Sequence, residues 1–138
     1  MSIQDYIALY ENDILHAIVL TDNIGKITYC NDTWLKMCGF TMDDVMGRTN
    51  NILQGFLTEQ EIVKEINREV RYGLDVEKVI TNYKKDGSPF KNHVTIKKIE
   101  DGFLAEIRDL GKCDYELSYD AAINKRLGLN QEMISLMV

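Results

Sequence analysis

Three β-type runs in the second half of the sequence constrain the fold of this chain most strongly. They cover residues 76–84, 90–99 and 103–109, and the turn dipeptides Asp86-Gly87 and Asp101-Gly102 lie between them. Connections this short cannot contain a crossover helix, so consecutive strands must be antiparallel neighbours. The pattern therefore predicts a three-stranded antiparallel meander.

A capped helix and a hairpin are predicted at the start of the chain. Ser2 and Asp5 have the spacing of a capping box, in which two side chains satisfy backbone N–H groups at a helix start. Residues 16–21 and 26–30 are β-type runs on either side of the turn-rich segment 22–25. We therefore expect a helix over the first residues and a two-stranded hairpin after it.

Several helices are expected between the hairpin and the meander. Asn31, or the residue after it, can start one short helix, and Thr41 can cap another. Thr58 and Glu61 have capping-box spacing for a longer helix, which Gly73 ends. Two strands, several helices and three strands in this order predict an α+β fold. In that fold, a five-stranded antiparallel sheet carries helices on one face, and the sheet and the helices enclose a cavity between them.

The length of 138 residues fits one domain with flanking elements. We expect an N-terminal flanking helix over residues 1–14, a core over 15–111 and a C-terminal helical extension over 112–138. The extension carries an approximate heptad seam at Ile123, Leu127, Asn130, Ile134 and Met137. It is interpreted as a coupling helix or a partner surface.

Charge and hydropathy exclude several classes of partner. The net charge of -6 disfavours binding to phosphate backbones and anionic membranes, because that attraction needs clustered lysine and arginine. No apolar run approaches the ~20 residues that span a bilayer, and the N-terminus lacks a signal-peptide pattern. We expect a cytoplasmic protein that binds neither nucleic acid nor membrane.

Cysteine, histidine and acidic residues form no catalytic or metal-binding pattern in the sequence. Cys30, Cys38 and Cys113 include no CxxC pair and leave an odd thiol, which is typical of reduced, buried cysteines. His16 and His93 are the only histidines, and neither stands in a motif that binds a metal. The chain is expected not to be an enzyme and to have no metal site.

Two asparagines are predicted to point into the interior of the meander. Residues of one parity along a strand share a face, which places Asn92 with Phe90 and Val94, and Asn82 with Ile80. Buried amides need partners. Backbone groups or water can satisfy them, and so can a ligand whose edge alternates donors and acceptors, such as the pyrimidine side of a flavin.

Two segments resemble signatures of LOV domains, the flavin-binding blue-light branch of the PAS sensor family. GRTNNILQG at residues 47–55 resembles GRNCRFLQG, and NYKKDGSPFKN at residues 82–92 resembles NYRKDGSPFWN. The resemblance covers residues 16–110 and implies the PAS/LOV fold. It also implies that FMN or another flavin is the cofactor and that Asn82 and Asn92 hold its pyrimidine edge.

The resemblance extends to the walls of the pocket. Aligning GFLAEIRDLG, residues 102–111, with the LOV final strand YFIGVQLDVT points Phe103, Ala105 and Ile107 inward. A rival register turns Leu104, Glu106 and Arg108 inward and buries two charges, which is costly unless they pair with each other. The implied cofactor-binding residues are Thr21, Asn50, Leu53, Gln54, Val63, Ile80, Asn82, Asn92, Val94, Ile96, Phe103 and Ile107.

The sequence departs from the LOV pattern at four positions. Asn50 replaces the cysteine whose thiol adds to the illuminated flavin, and an amide cannot act as that nucleophile. Ile107 replaces the glutamine that hydrogen-bonds the flavin and passes the signal to the sheet. Asn51 and Asn67 replace the two arginines that hold the FMN phosphate, and the substitutes that the sequence offers are Arg48, Lys64, Arg68 and Arg71.

These observations predict a sensory or regulatory PAS module of the LOV type. It would bind flavin non-covalently, without cysteinyl adduct photochemistry, and signal through its flanking helices and a homodimer surface to a separate effector protein. The alternative is a PAS module with no ligand, or with another ligand, that acts in dimerisation and protein interaction.

Overall fold

The computed structural model describes residues 1–112, and the helical extension expected over 112–138 lies, apart from its first residue, outside the described residues. The strands are β1 (Ala17–Thr21), β2 (Ile27–Cys30), β3 (Val76–Tyr83), β4 (Pro89–Ile99) and β5 (Gly102–Lys112). The helices are α1 (Ile3–Tyr10), α2 (Asp32–Cys38), α3 (Met42–Val45) and α4 (Gln60–Arg71), with a 3-10 helix at Asn50–Leu53. Within this part of the chain no helix is long and apolar enough to cross a bilayer.

The five strands form a single antiparallel sheet in the order β2-β1-β5-β4-β3. The meander β3–β4–β5 is present, which confirms that prediction. Its last strand pairs with the first strand of the hairpin, with Ala17 opposite Ile107 and Thr21 opposite Phe103. This pairing places β1 and β5 at the centre of the sheet, and the predicted α+β class with five antiparallel strands is confirmed.

Both faces of the central strands are covered by apolar side chains. The inner face packs under α2, α3 and α4, with Val19, Trp34 and Ile66 among its fully buried residues. The outer face packs under α1, where Ile18 and Leu20 of β1 contact side chains of that helix. Every residue of β1 is therefore buried, and this strand separates the inner core from the N-terminal helix.

The register of β5 follows the predicted alternation. Ala105 and Ile107 are buried on the inner face, whereas Glu106 is half-buried and Arg108 is exposed on the other side. The rival register is wrong, because it would place those two charges in the core. Leu104 is buried too, but it lies on the outer face under α1.

Three of the four predicted helix starts agree with the structure. Capping boxes are formed by Ser2 with Asp5 and by Thr41 with Asp44, and the Asn31 side chain caps α2. The predicted box of Thr58 and Glu61 is wrong. Helix α4 begins at Gln60, and its cap residue Glu59 makes no side-chain capping bond. The Thr58 hydroxyl instead donates to the carbonyl of Thr81 on β3, at 2.7 Å.

Asn31 joins three elements through its side chain, which is only 1% exposed. Its Oδ1 accepts from the backbone N–H groups of Ile18 and Trp34, both at 3.0 Å. Its Nδ2 donates to the backbone carbonyls of His16, at 2.7 Å, and Tyr10, at 3.2 Å. One buried amide thus connects the end of α1, the start of β1 and the start of α2.

We expect Asn31→Ala to lower the free energy of unfolding by roughly 2 to 4 kcal/mol, because it removes a helix cap and leaves buried backbone groups without partners. Urea titration followed by circular dichroism measures this change. Asn23→Ala, at an exposed asparagine, is the control and should change stability by less than about 0.5 kcal/mol. Equal losses for the two variants would contradict the role given to Asn31.

Candidate functional site

Asn82 and Asn92 lie side by side on the inner face of the sheet. Asn92 pairs with Ile80 and Asn82 pairs with Phe90 across β3 and β4, which makes the two asparagines diagonal neighbours. Both are buried, with 5% and 1% of their surface exposed. The Nδ2 of Asn92 donates to the Oδ1 of Asn82 at 2.8 Å. The two inward amides predicted from strand alternation are therefore present and in contact.

The hydrogen bonding of this pair is incomplete. The Nδ2 of Asn82 donates to the backbone carbonyl of Thr81, at 3.3 Å. The Oδ1 of Asn92 is buried and accepts no hydrogen bond from any described residue. An unsatisfied buried acceptor costs about 1 to 3 kcal/mol, so it marks a position where a donor from outside the protein would be stabilising.

Two small cavities lie next to each other between the sheet and the helices. One, of about 20 Å³, contacts both asparagines and also Leu53, Ile80, Val94 and Ile107. The other, of about 40 Å³, is lined by Thr21, Gly25, Thr49, Val70 and Phe103. Both are also lined by Asn50, Ile96 and Ala105. These three residues lie between the two cavities and form the constriction that separates them.

Most of the residues that the sequence assigned to a cofactor line these cavities. The cavity walls include Thr21, Asn50, Leu53, Ile80, Asn82, Asn92, Val94, Ile96, Phe103 and Ile107. Gln54 and Val63 are buried but line neither cavity. Ala105 was predicted to point inward with Phe103 and Ile107 but was not included among the cofactor-binding residues. Thr49 carried no sequence signal.

A larger groove opens beyond the second cavity. Its volume is about 600 Å³, and it shares Val70 and Phe103 with the 40 Å³ cavity. Arg71 and Lys98 line it together with Asn67, Asn23 and Ile24. Of the four cations that the sequence offered for a phosphate, Arg71 lines this groove, and Arg48, Lys64 and Arg68 do not.

The segment before α4 is fastened to the edge strand β3 at Thr81. The Thr81 carbonyl accepts from the Thr58 hydroxyl, and the Thr81 N–H and hydroxyl donate to the Glu59 carboxylate at 2.7 and 2.9 Å. Lys91 lies 3.3 Å from the same carboxylate. Burial raises the pKa of Glu59, but the bonds from Thr81 and the charge of Lys91 outweigh burial and bring the pKa below its usual value. The carboxylate is therefore ionised at neutral pH.

A close contact at Gly55 fixes the same segment against the sheet. A Cβ atom at this position would lie 2.1 Å from the ring of Tyr83, so only glycine fits. The Tyr83 hydroxyl accepts from the Leu57 N–H at 3.0 Å. These contacts hold the chain next to the 3-10 helix, which carries Asn50 and Leu53 into the cavity wall.

The described cysteines lie away from the cavities. Burial raises the pKa of Cys38 to about 12 and also raises the pKa of Cys30, so both are neutral thiols. Neither lines the amide cavity or its neighbour. Among residues 1–112, no three histidine, cysteine or acidic side chains come together as a metal site.

The polar groups of the site fit the pyrimidine edge of a flavin, but the cavity is narrow. Two carboxamides alternate donors and acceptors over one wall, and one acceptor lacks a partner. A cavity must offer about 10 to 15 Å³ to hold one water molecule. Cavities of about 20 and 40 Å³ therefore hold waters and not a tricyclic ring. A flavin therefore requires the constriction at Asn50, Ile96 and Ala105 to widen.

Known proteins that match this chain share its fold. The sequence model of the PAS domain family matches residues 15–110. The bacterioopsin transcriptional activator of Halobacterium salinarum is 29% identical over 113 residues, which cover 82% of this chain and 16% of that protein. Phototropin-1A of Oryza sativa is 37% identical over 75 residues, which cover 54% of this chain and 8% of that protein.

A solved LOV domain has the same architecture. The LOV domain of the Erythrobacter litoralis EL346 blue-light activated histidine kinase aligns with a TM-score of 0.68 and 26% identity, over 71% of this chain and 98% of that domain. The chain spans between 8% and 22% of the length of its curated relatives. With the family match, the paired amides and the shared architecture together, this chain belongs to the PAS domain family and resembles its LOV branch.

Proposed function

We propose that this chain is a sensory and regulatory PAS module that binds a flavin non-covalently between the sheet and α4. The single observation that supports the flavin most strongly is the buried Asn92 Oδ1, which accepts no hydrogen bond and lies next to Asn82. Blue-light names among the relatives, including a blue-light-activated histidine kinase of Erythrobacter litoralis at 33% identity, support the same proposal.

The residues of the cavity would divide the binding of the ring between them. The free Oδ1 of Asn92 would accept the N–H of the pyrimidine edge, and the amide groups of the pair would donate to the carbonyls beside it. Val94, Ile96 and Ile80 form apolar walls that exclude water from the ring. Bound flavin would supply absorption of visible light and redox chemistry, and the protein would supply orientation and a dry site.

Covalent attachment of the flavin is not part of this proposal. Asn50 lines both cavities and offers an amide where the LOV resemblance expects a thiol. Cys30 and Cys38 are neutral and line neither cavity. Since a thiolate is the form of cysteine that acts as a nucleophile, the described residues offer no group for such a bond.

Strand β1 provides a path from the cavity to the N-terminal helix. Thr21 lines the 40 Å³ cavity, while Ile18 and Leu20 of the same strand pack against α1. Because cores are tightly packed, displacement of the inner face of this strand changes the packing under α1. The Ile107 side chain has neither a hydrogen-bond donor nor an acceptor, so it cannot transmit a signal by changing a hydrogen bond. We therefore infer that the signal passes through packing.

A second candidate function is a homodimeric interaction module that needs no ligand. The narrow cavities favour it, and so does the outer face of β3 and β4 beyond α1, where Val79 is 44% exposed and His93 is half-buried. PAS modules of both kinds would act on a separate effector protein. In the first candidate the amide pair binds the ligand, whereas in the second the module assembles without any contribution from this pair.

Replacing both asparagines, Asn82→Ala with Asn92→Ala, should weaken FMN binding by roughly a hundredfold, because two or more hydrogen bonds to the ring are lost. Quenching of FMN fluorescence measures the affinity, and sedimentation measures assembly. His93→Ala, on the opposite face of β4, is the control and should leave FMN affinity unchanged. A wild-type protein that binds no flavin, and whose assembly is the same in the double variant, would favour the second candidate.

Removing the Ala105 methyl group, in Ala105→Gly, should tighten FMN binding by roughly threefold to tenfold, because the constriction then needs less displacement. The same fluorescence titration checks this expectation. Ala17→Gly is a matched control, since Ala17 is a buried alanine on the neighbouring strand and lines neither cavity. The constriction argument fails if both glycine variants change the affinity alike.

Blue light should leave the visible absorption of FMN-loaded wild-type protein unchanged in air, because no cysteine among residues 1–112 lines the cavities. Asn50→Cys places a thiol at that position, and the variant should lose absorption in light and recover it in the dark at a rate independent of oxygen. Absorption spectra before and after illumination distinguish the two proteins. An oxygen-independent dark recovery in the wild type would show that another residue bonds to the flavin.

A further inference from the structure

We propose that Arg71 and Lys98 form an anion site at the mouth of the cavity and that it holds the phosphate of FMN. This site rests on the proposed function, and it would make the protein bind FMN more tightly than a flavin without a phosphate. The groove includes Asn67, one of the two positions that the LOV resemblance assigns to phosphate, but its cations come from residues other than those two positions.

Strand β4 carries the sequence of groups that such a ligand needs. Asn92, Val94, Ile96 and Lys98 have the same parity, so one face of the strand presents an amide, two apolar side chains and then an ammonium group. Six residues of strand span roughly 20 Å. The matching ligand has a hydrogen-bonding edge, an apolar middle and an anionic end.

Helix α4 brings the second cation to the same groove. Arg71 is the last residue of the helix, and Asn67 lies one turn before it on the same face. The carbonyls of Val70 and Glu69 accept from Gly73 N–H, at 3.0 Å, and Leu74 N–H, at 2.9 Å. These bonds reduce the exposed negative end of the helix dipole, which would otherwise repel an anion.

None of the described residues that line the groove is acidic. Over the described part of the chain, neither Arg71 nor Lys98 forms an ion pair, although acidic residues outnumber basic ones by 22 to 16 in the whole sequence. Two cations that line one groove without an acidic partner, in an acidic protein, attract an anion from solution. A phosphate between them would accept charge-assisted hydrogen bonds from both.

Lys98 is held at the boundary between the groove and the inner cavity. Its ammonium donates to the backbone carbonyls of Ile99 and Glu100 and lies 5.4 Å from the ring centre of Phe103. Phe103 lines both the groove and the 40 Å³ cavity, so the ammonium stands at the passage between them. A ligand whose ring lies inside would place its charged end at this point.

Asn67 adds an independent indication that a polar tail lies in the groove. Its Oδ1 is buried and accepts no hydrogen bond from any described residue. The hydroxyl groups of a ribityl chain are donors, and that chain joins the flavin ring to its phosphate. The groove therefore offers an acceptor for the chain and two cations for the charge at its end.

Comparison of FMN with riboflavin, which lacks the phosphate, tests this inference. Fluorescence quenching should show that wild-type protein binds FMN at least about tenfold more tightly than riboflavin, since two charge-assisted bonds are added. Arg71→Gln with Lys98→Gln should reduce FMN affinity to the level of riboflavin and leave riboflavin affinity unchanged. Unchanged riboflavin binding also shows that the variant is folded.

Arg68→Gln with Lys97→Gln is the matched control, because it removes the same charges from the same helix and strand at residues outside the groove. This pair should keep the preference for FMN. Equal wild-type affinities for FMN and riboflavin, or equal losses in the two double variants, would overturn the anion site and leave flavin binding intact. If wild-type protein binds neither compound, both the anion site and the proposed flavin function are overturned.

Discussion

The four hydrogen bonds of the Asn31 side chain hold together the parts of the fold on which the site depends. They fix the start of β1 against α2 and the end of α1. β1 in turn pairs with β5, which places Ala105 and Ile107 on the cavity wall. A fully bonded buried amide is stabilising because each of its polar groups has exchanged water for a protein partner.

Asn31 and Asn92 are both only 1% exposed, but their amides are bonded differently. Asn31 uses both of its polar atoms within the protein, whereas the Oδ1 of Asn92 accepts nothing. Stability alone would favour an apolar residue at position 92. The contrast separates an amide that builds the fold from one that we assign to a ligand, and the same reasoning applies to the Oδ1 of Asn67 at the groove.

The sequence predicted those features that depend on local pattern and spacing. The meander, the register of β5 and the caps at Ser2 and Thr41 follow from turn dipeptides, alternation and helix-start chemistry. The Thr58 cap was wrong because an edge strand competed for its hydroxyl, and that partner lies 23 residues away. The widths of the cavities and the choice of Arg71 among four cations depend on packing between distant segments. Lys98 could have been found by extending along β4 the alternation that had placed Asn92.

The contacts at Thr81 limit how a second chain can pair with the edge of this sheet. β3 is an outer strand of the sheet, and an outer strand normally presents free backbone groups to a neighbouring chain. At Thr81 both groups are already taken, the N–H by Glu59 and the carbonyl by Thr58. A strand from a second molecule therefore cannot pair with β3 at Thr81, and this border does not offer a continuous row of free backbone groups.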